Sequence, residues 1–484
     1  MGTGMRLSLS QIAAAVGGRL IGPDAPVTGP VVTDSRQAAE GSLFIAVHGE
    51  RTDGHAHLGS AGALGAVGAI VSDLEAARSG LSQGRTEEPS MGLVLVEDTV
   101  TALGALARTH LEGLRRSAAE RSERLTVVAM TGSVGKTTTK DLTRQLLAAS
   151  GPTVAPRASF NNEIGLPLTV LEADESTRYL VLEMGASGPG HIAYLTDIAP
   201  LDLATVLMVG TAHLESYESV EGLAAEKSEI LTNLGPNAVA ILNADDPRVE
   251  AMSGRTSGRL LYFSARKSSP VQATSVRIDQ DSRVSFHLQL PDGQAEVKLR
   301  LIGAHHLTNA LAAAAMAHLA GMSCVDIARV LNAATPQSEH RMNLVHLADG
   351  VDLIDDAYNA NPDSVRAALD VLSKYSQSRR VVAVLGDMLE LGHTSPQLHG
   401  EIGRYAASLG IPVIVGVGPM SKNLVNAYSA LNREGELHHT MDEVAAGRLL
   451  QEVVRHRDLI LIKGSHGSNL WKLAQNIEER GRVR

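Results

Sequence analysis

One short passage limits what this chain can fold into more than any other. Val127-Val128-Ala129-Met130 runs directly into Thr131-Gly132-Ser133-Val134-Gly135-Lys136-Thr137-Thr138-Thr139. The apolar residues 125–130 read as a buried strand. Residues 137–149 read as a helix closed by Gly151. A strand, a glycine turn, Lys-Thr and a helix make a phosphate cradle. Glycines let backbone N–H groups approach an anion, the helix N-terminus adds positive potential, Lys136 reaches the outer phosphates, and a Thr hydroxyl can hold Mg²⁺. The general pattern asks for Gly at position 130, where this chain has Met130, so the loop is a shorter variant. A ligase, a GTPase switch, a motor and a kinase can all carry such a loop, and the flanking sequence has to choose among them.

The chain has 484 residues, enough for about three domains. In residues 1–98, apolar runs at 42–47, 69–71 and 93–96 alternate with turn residues, as in a small mixed α/β domain, with a polar insertion at 80–90. A helix at 100–116 connects to a central domain ending at 336, the connecting stretch being 99–120. Strands at 125–130, 179–184 and 204–209 alternate there with helices, one of them at 223–234, which predicts a parallel sheet. Runs at 259–263, 282–290 and 295–302 alternate differently and predict a smaller antiparallel sheet, followed by helices at 308–319 and 325–332. Residues 337–484 repeat the α/β theme, with strands at 351–355, 380–385, 413–417 and 458–463, as in a doubly wound, Rossmann-like domain. The expected fold class is therefore α/β in three domains.

The net charge of −10 argues against non-specific nucleic-acid binding, which needs a basic footprint. A lone Cys324 excludes an intrachain disulfide and reads as plain core. The first 20 residues lack the apolar stretch of a signal peptide, and no apolar run is long enough to span a bilayer. A reducing, cytoplasmic setting is expected.

Glu183 closes a strand just before Gly185, where a phosphate-loop enzyme places a Mg²⁺ ligand. His213 follows another strand and reads either as a structural imidazole or as a functional one. Lys227, between Glu226 and Ser228, reads as a solvated helix face with Glu226 and Glu229 as companions.

Several separate motifs, in order, resemble the Mur ligase family. They are 131–138, Asn161-Asn162-Glu163-Ile164-Gly165-Leu166-Pro167, Glu183-Met184-Gly185, 210–215, Glu226-Lys227-Ser228-Glu229, Leu242-Asn243-Ala244-Asp245-Asp246-Pro247, 303–309 and His340-Arg341-Met342. Three further segments resemble the branch that adds a dipeptide: Thr33-Asp34-Ser35-Arg36 with 44–49 and Asp53-Gly54-His55; 355–364 around Tyr358-Asn359-Ala360-Asn361-Pro362; and Gly386-Asp387-Met388 with Lys463-Gly464-Ser465. The chain departs from the family at His306, where Asn is usual, and at His340, where Gly is usual.

The resemblance implies a ligase in which ATP phosphorylates a carboxylate and an amine displaces phosphate from the acyl phosphate. Its substrates would be UDP-N-acetylmuramoyl-tripeptide and D-Ala-D-Ala, its cofactors ATP and Mg²⁺, and its working form a monomer. It also implies site roles. Thr131, Gly132, Ser133, Val134, Gly135, Lys136, Thr137 and Thr138 would cradle ATP. Thr137 and Glu183 would hold one Mg²⁺, and His213 with a carbamylated Lys227 a second. Asn243 and Asn309 would lie toward the adenine, with Arg341 and Asp356 reaching the nucleotide. Ser35 and Arg36 would hold the uridine diphosphate, and Asn162 the sugar–peptide portion. Asn359, Asn361 and Lys463 would lie near the acyl phosphate or dipeptide. Closure of the C-terminal domain is expected for turnover. A folylpolyglutamate synthase or a tripeptide-forming ligase is the nearest rival; the former has no need of the Asp34–Arg36 segment. A nucleotide switch would have no use for Glu183, His213 and Lys227 together.

Overall fold

The computed structural model describes residues 5–49, 52–82, 91–156, 158–210 and 219–483. The fold class is α/β, with a five-stranded, a nine-stranded and a six-stranded sheet plus a two-stranded ribbon. The chain forms two compact units: residues 1–129, 147–204 and 229–239 in one, and 130–146, 205–228 and 240–484 in the other.

In the first unit the five-stranded sheet has the order Arg19–Ile21, Gly92–Leu95, Gly68–Val71, Leu43–Ile45, Val31–Val32. Its first pair is antiparallel and the rest are parallel. Leu43, Phe44, Ile45, Ala69, Ile70 and Val71 are buried, which is why these strands read as unbroken apolar runs. The expected insertion begins later than its composition indicated, because residues 80–82 finish the helix Leu74–Ser82 and 83–90 lie outside the described residues. The connecting helix is Thr99–Glu120, the whole of the expected connecting stretch, and Asp98 caps its start by accepting from the Thr101 N–H.

The nine-stranded sheet runs Gly293–Ile302, Arg283–Leu290, Val271–Ile278, Arg259–Ser264, Val239–Asn243, Leu203–Val206, Thr126–Thr131, Tyr179–Glu183, Thr153–Val154. Two expectations fail here. The runs after residue 259 are not a separate small sheet; they extend this one, with an additional strand Val271–Ile278 paired parallel to Arg259–Ser264 and antiparallel to Arg283–Leu290. The additional strand escaped notice because only its first residues are buried, leaving Val276 and Ile278 exposed. The helix expected at 223–234 is instead two, Val220–Lys227 and Glu229–Thr232.

In the second unit the six-stranded sheet has the order Asn343–His346, Asp352–Asp355, Leu459–Lys463, Val381–Gly386, Val413–Val417, Glu436–Thr440. All pairs are parallel except the first. Its inner strands are apolar on both faces. Ala383, Leu385, Leu459 and Leu461 face one core with Leu369, Leu372, Ile402 and Leu424. Val382, Val384, Ile460 and Ile462 face another with Leu450, Leu473 and Ile477. The two flanking strands, 343–346 and 436–440, are only partly buried and give no such run. Cys324 is core, as expected, and burial pushes its thiol up.

The helices Ser395–Ser408 and Ser421–Ser429 meet at Gly403, where a Cβ would lie 2.0 Å from the Leu424 carbonyl oxygen. Alanine in a helix interior ordinarily gains about 1 kcal/mol over glycine. Overpacking against backbone costs about 1–3 kcal/mol, and here it wins. Gly403→Ala is therefore expected to lower the urea midpoint; an unchanged or raised midpoint would show that the helices can part freely.

Candidate active site

The strand Thr126–Thr131 delivers the glycine loop to the helix Lys136–Ala148 as expected. In the second unit the loop is held from several sides. The Ser133 N–H donates to the Met208 carbonyl at 3.0 Å, and the Gly210 N–H donates to Ser133 Oγ at 2.9 Å. Lys136 Nζ folds back onto the Gly132 carbonyl at 2.7 Å. Gly135 has φ +84°, and a Cβ there would lie 2.4 Å from Asn309 Oδ1. Only glycine meets both conditions. Asn243 donates from Nδ2 to the Leu207 carbonyl at 2.8 Å, bracing the chain beside the loop.

The C-terminal strands bring a second set of groups to their carboxyl ends, where doubly wound sheets bind ligands. Lys463 is buried and gives Nζ to Asp356 Oδ2 at 2.6 Å and to the Asn359 carbonyl at 2.9 Å. Burial drives the Lys463 pKa down, and the Asp356 carboxylate opposes it. Asp356 Oδ1 also accepts from the Met342 N–H at 3.2 Å. Ser465 Oγ joins the Leu389 N–H to the Ala360 carbonyl. Asp356 and Lys463 are thus one buried pair rather than independent side chains.

Arg341 sits between two left-handed residues, His340 (φ 58°) and Met342 (φ 52°). That backbone is costly for side chains with a Cβ and is held by neighbours. The Tyr358 N–H donates to the His340 carbonyl, and Met342 is tied to Asp356. The Arg341 guanidinium lies 4.2 Å over the Tyr358 ring and gives Nη2 to Thr137 Oγ1 at 3.3 Å, while its Nε is buried without a hydrogen-bond partner. Sequence reasoning named Arg341 but missed Tyr358, although the tyrosine lies inside the quoted 355–364 segment.

Two of the expected contact residues have structural duties. Asn361 caps the helix Pro362–Tyr375 in a reciprocal box with Ser364, so its side chain is committed to the backbone. Asn359 Oδ1 accepts from the Ala360 N–H, and its backbone carbonyl is what meets Lys463.

In the first unit, Asn162 is exposed and accepts from the Gly165 N–H at 2.9 Å. Its neighbour Asn161, which sequence reasoning passed over, donates Nδ2 to Glu183 Oε1 at 2.8 Å. Glu183 Oε2 is buried with no hydrogen-bond partner. Ser35 is buried at the start of a 3₁₀ turn, and Arg36 projects with its side chain 87% exposed. Asp34 grips Arg36 through both carboxylate oxygens, which holds the Asp34 pKa down to about 2. His55 Nε2 accepts from the Ser72 and Asp73 N–H groups, so Nδ1 carries the proton that Asp53 accepts. That tautomer makes the His48, Asp53 and His55 group a hydrogen-bonded turn rather than a cation site.

Lys227 overturns the solvated-face expectation: it is 2% exposed, 3.7 Å from Glu226, whose two buried carboxylate oxygens have no hydrogen-bond partner. A buried oxygen without a donor, as on Glu183, suits a hard cation that takes oxygen ligands. His213 lies outside the described residues.

Models of the Mur ligase family match residues 30–111 (Mur ligase family, catalytic domain), 130–317 (Mur ligase middle domain) and 340–466 (Mur ligase, glutamate ligase domain). The chain is 39% identical to the UDP-N-acetylmuramoyl-tripeptide–D-alanyl-D-alanine ligase of Mycobacterium tuberculosis, over 97% of each chain. Its structure is similar to that of MurF from Acinetobacter baumannii, with TM-score 0.84 and 31% identity over 99% of this chain and 100% of that one. It is also similar to MurF ligase from Thermotoga maritima in complex with ADP, with TM-score 0.74 and 26% identity over 94% and 98%. The chain belongs to the Mur ligase family, whose members are ATP-dependent, ADP-forming ligases.

His340 Nδ1 pairs with the buried Asp355 at 2.5 Å, which raises the imidazole pKa above 6.5 against the pull of burial. A raised folded pKa contributes stability that is complete below the unfolded value and is lost as pH rises through the folded one. The urea stability of wild type over His340→Gln is therefore expected to be greatest near pH 6 and to shrink toward pH 9. A gap that is constant or grows with pH would contradict the charged pair.

Proposed function

We propose that this chain joins D-alanyl-D-alanine to UDP-N-acetylmuramoyl-tripeptide, cleaving ATP to ADP and phosphate, as a step in making the peptidoglycan precursor of the cell wall. The observation that carries the reading is likeness over nearly the whole chain to a ligase of that printed activity, together with a phosphate loop held on both flanks. The substrate carboxylate attacks the γ-phosphorus, ADP leaves, and the acyl phosphate forms. The dipeptide amine then attacks the acyl carbon, and phosphate departs with the former carboxylate oxygen.

Two anions meet in the first step, so fixed positive charge is needed where negative charge develops. Lys136 supplies it from the loop, and Arg341, oriented by Tyr358, from the segment before the C-terminal sheet. The loop residues Thr131 to Thr138 cradle the triphosphate, with Asn243 and Asn309 on the adenine side. The Asp356–Lys463 pair shapes the 355–364 segment, whose Asn359 and Asn361 act through its backbone. Ser35 and Arg36 bind the uridine diphosphate, and Asn162 the sugar–peptide portion. The functional domains on this reading are residues 1–98, 99–336 and 337–484.

Mg²⁺ would be held by Thr137, Glu183, His213 and Lys227, where it supplies Lewis-acid neutralisation of phosphate charge. Asn161 aims Glu183 by holding one of its oxygens. An ammonium would be repelled by the metal, so Lys227 serves as a carbamate, which presents oxygen instead. Among the described residues no helix is long and apolar enough to cross a membrane, and we place the enzyme in the cytoplasm, as a monomer.

The test is phosphate release from ATP with each substrate omitted in turn. Release is expected only with the tripeptide nucleotide and D-Ala-D-Ala together, with ADP as product. AMP and pyrophosphate, or equal turnover with a folate acceptor, would contradict the assignment.

A further inference from the structure

His306, at the start of the helix His306–Leu319, is buried beside the amide that meets the phosphate loop. Its ring nitrogen Nδ1 lies 3.3 Å from Asn309 Nδ2, three residues along the same helix. An amide NH₂ can only donate. Nδ1 must therefore be unprotonated and accept, which leaves the ring proton on Nε2. The surroundings favour this neutral ring: burial and the neighbouring His305, 4.1 Å away between ring centroids, both push the His306 pKa well down. With Nδ2 committed to His306, the other end of the amide is fixed. Asn309 Oδ1 faces Gly135, occupying the place that a Cβ on that glycine would need.

We infer that His306 is a positioning residue: by accepting from Asn309 it fixes which way that amide points, and so keeps Oδ1 seated under Gly135 of the phosphate loop. Without the acceptor the buried amide can turn over, presenting NH₂ to the loop and leaving a donor unpaired, a fault worth about 1–3 kcal/mol. The inference rests on the reading that this loop binds an adenine nucleotide, and its consequence is a nucleotide affinity set partly by a side chain that never touches nucleotide.

Three substitutions at one position separate this role from plain packing. Asn places its Oδ1 near where the histidine carries Nδ1, Gln reaches instead to the Nε2 position, and Phe keeps the ring without any acceptor. ADP affinity, measured by calorimetry, is expected to be close to wild type in His306→Asn. It should weaken about tenfold in both His306→Gln and His306→Phe, the loss of one buried hydrogen bond. In an Asn309→Ala background the three substitutions should become equivalent, because the amide they orient is gone. The same cycle read by urea unfolding needs no nucleotide, so a chain that did not bind ADP would fail the functional reading while still testing the 306–309 coupling. Equal ADP affinity in the Asn and Gln variants would overturn the inference. So would a His306→Phe loss that persists undiminished in the Asn309→Ala background.

Discussion

The structure depends on charged groups held out of water at the ends of strands. Lys463 and Asp356 are buried together at 2.6 Å, and Glu183 keeps one carboxylate oxygen buried without a hydrogen-bond partner. Each costs folding free energy, since a buried ion pair seldom repays its desolvation and a buried oxygen without a donor repays none of it. The parallel sheets meet that cost by burying nearly every residue of their inner strands on both faces. On the proposed function, what such groups give in return is charge fixed in advance, with no water to rearrange at the moment of reaction.

The segment carrying Arg341 shows the same trade in the backbone. Two left-handed residues flank the arginine, and both are tied down, one by the Tyr358 N–H and the other by Asp356. The strained turn aims a guanidinium that an extended linker would leave to wander. Asp356 therefore does two things at once: one oxygen neutralises Lys463 and the other fixes the turn that presents Arg341. Both of its carboxylate oxygens are engaged with other groups of the protein.

Much of this was legible in the sequence because the physics was local. The glycine loop, its strand and its helix sit within a residue of where pattern placed them, since apolar runs, glycines and Lys-Thr each carry a positional meaning. Elements half open to solvent were not legible: residues 271–278, 343–346 and 436–440 form strands without an apolar run to mark them. Lys227 was misread because a lysine among glutamates has the same sequence signature whether solvated or buried; only tertiary packing distinguishes the two. Asn161 and Asn162 stand side by side, and nothing in their order says that the first braces Glu183 while the second accepts from the Gly165 N–H. Asn361 caps the helix that follows it, and the Pro362 and Ser364 after it are the helix-start signature that makes this duty readable.

The central claim is that a substrate carboxylate becomes an acyl phosphate before the amide forms. The direct measurement uses UDP-N-acetylmuramoyl-tripeptide carrying ¹⁸O in its terminal carboxylate, with ATP and D-Ala-D-Ala in ordinary water, and mass analysis of the phosphate released. The account expects one labelled oxygen to pass into phosphate for each amide bond made, because the oxygen that attacked phosphorus leaves with it. Phosphate free of label, with amide product still formed, would contradict it.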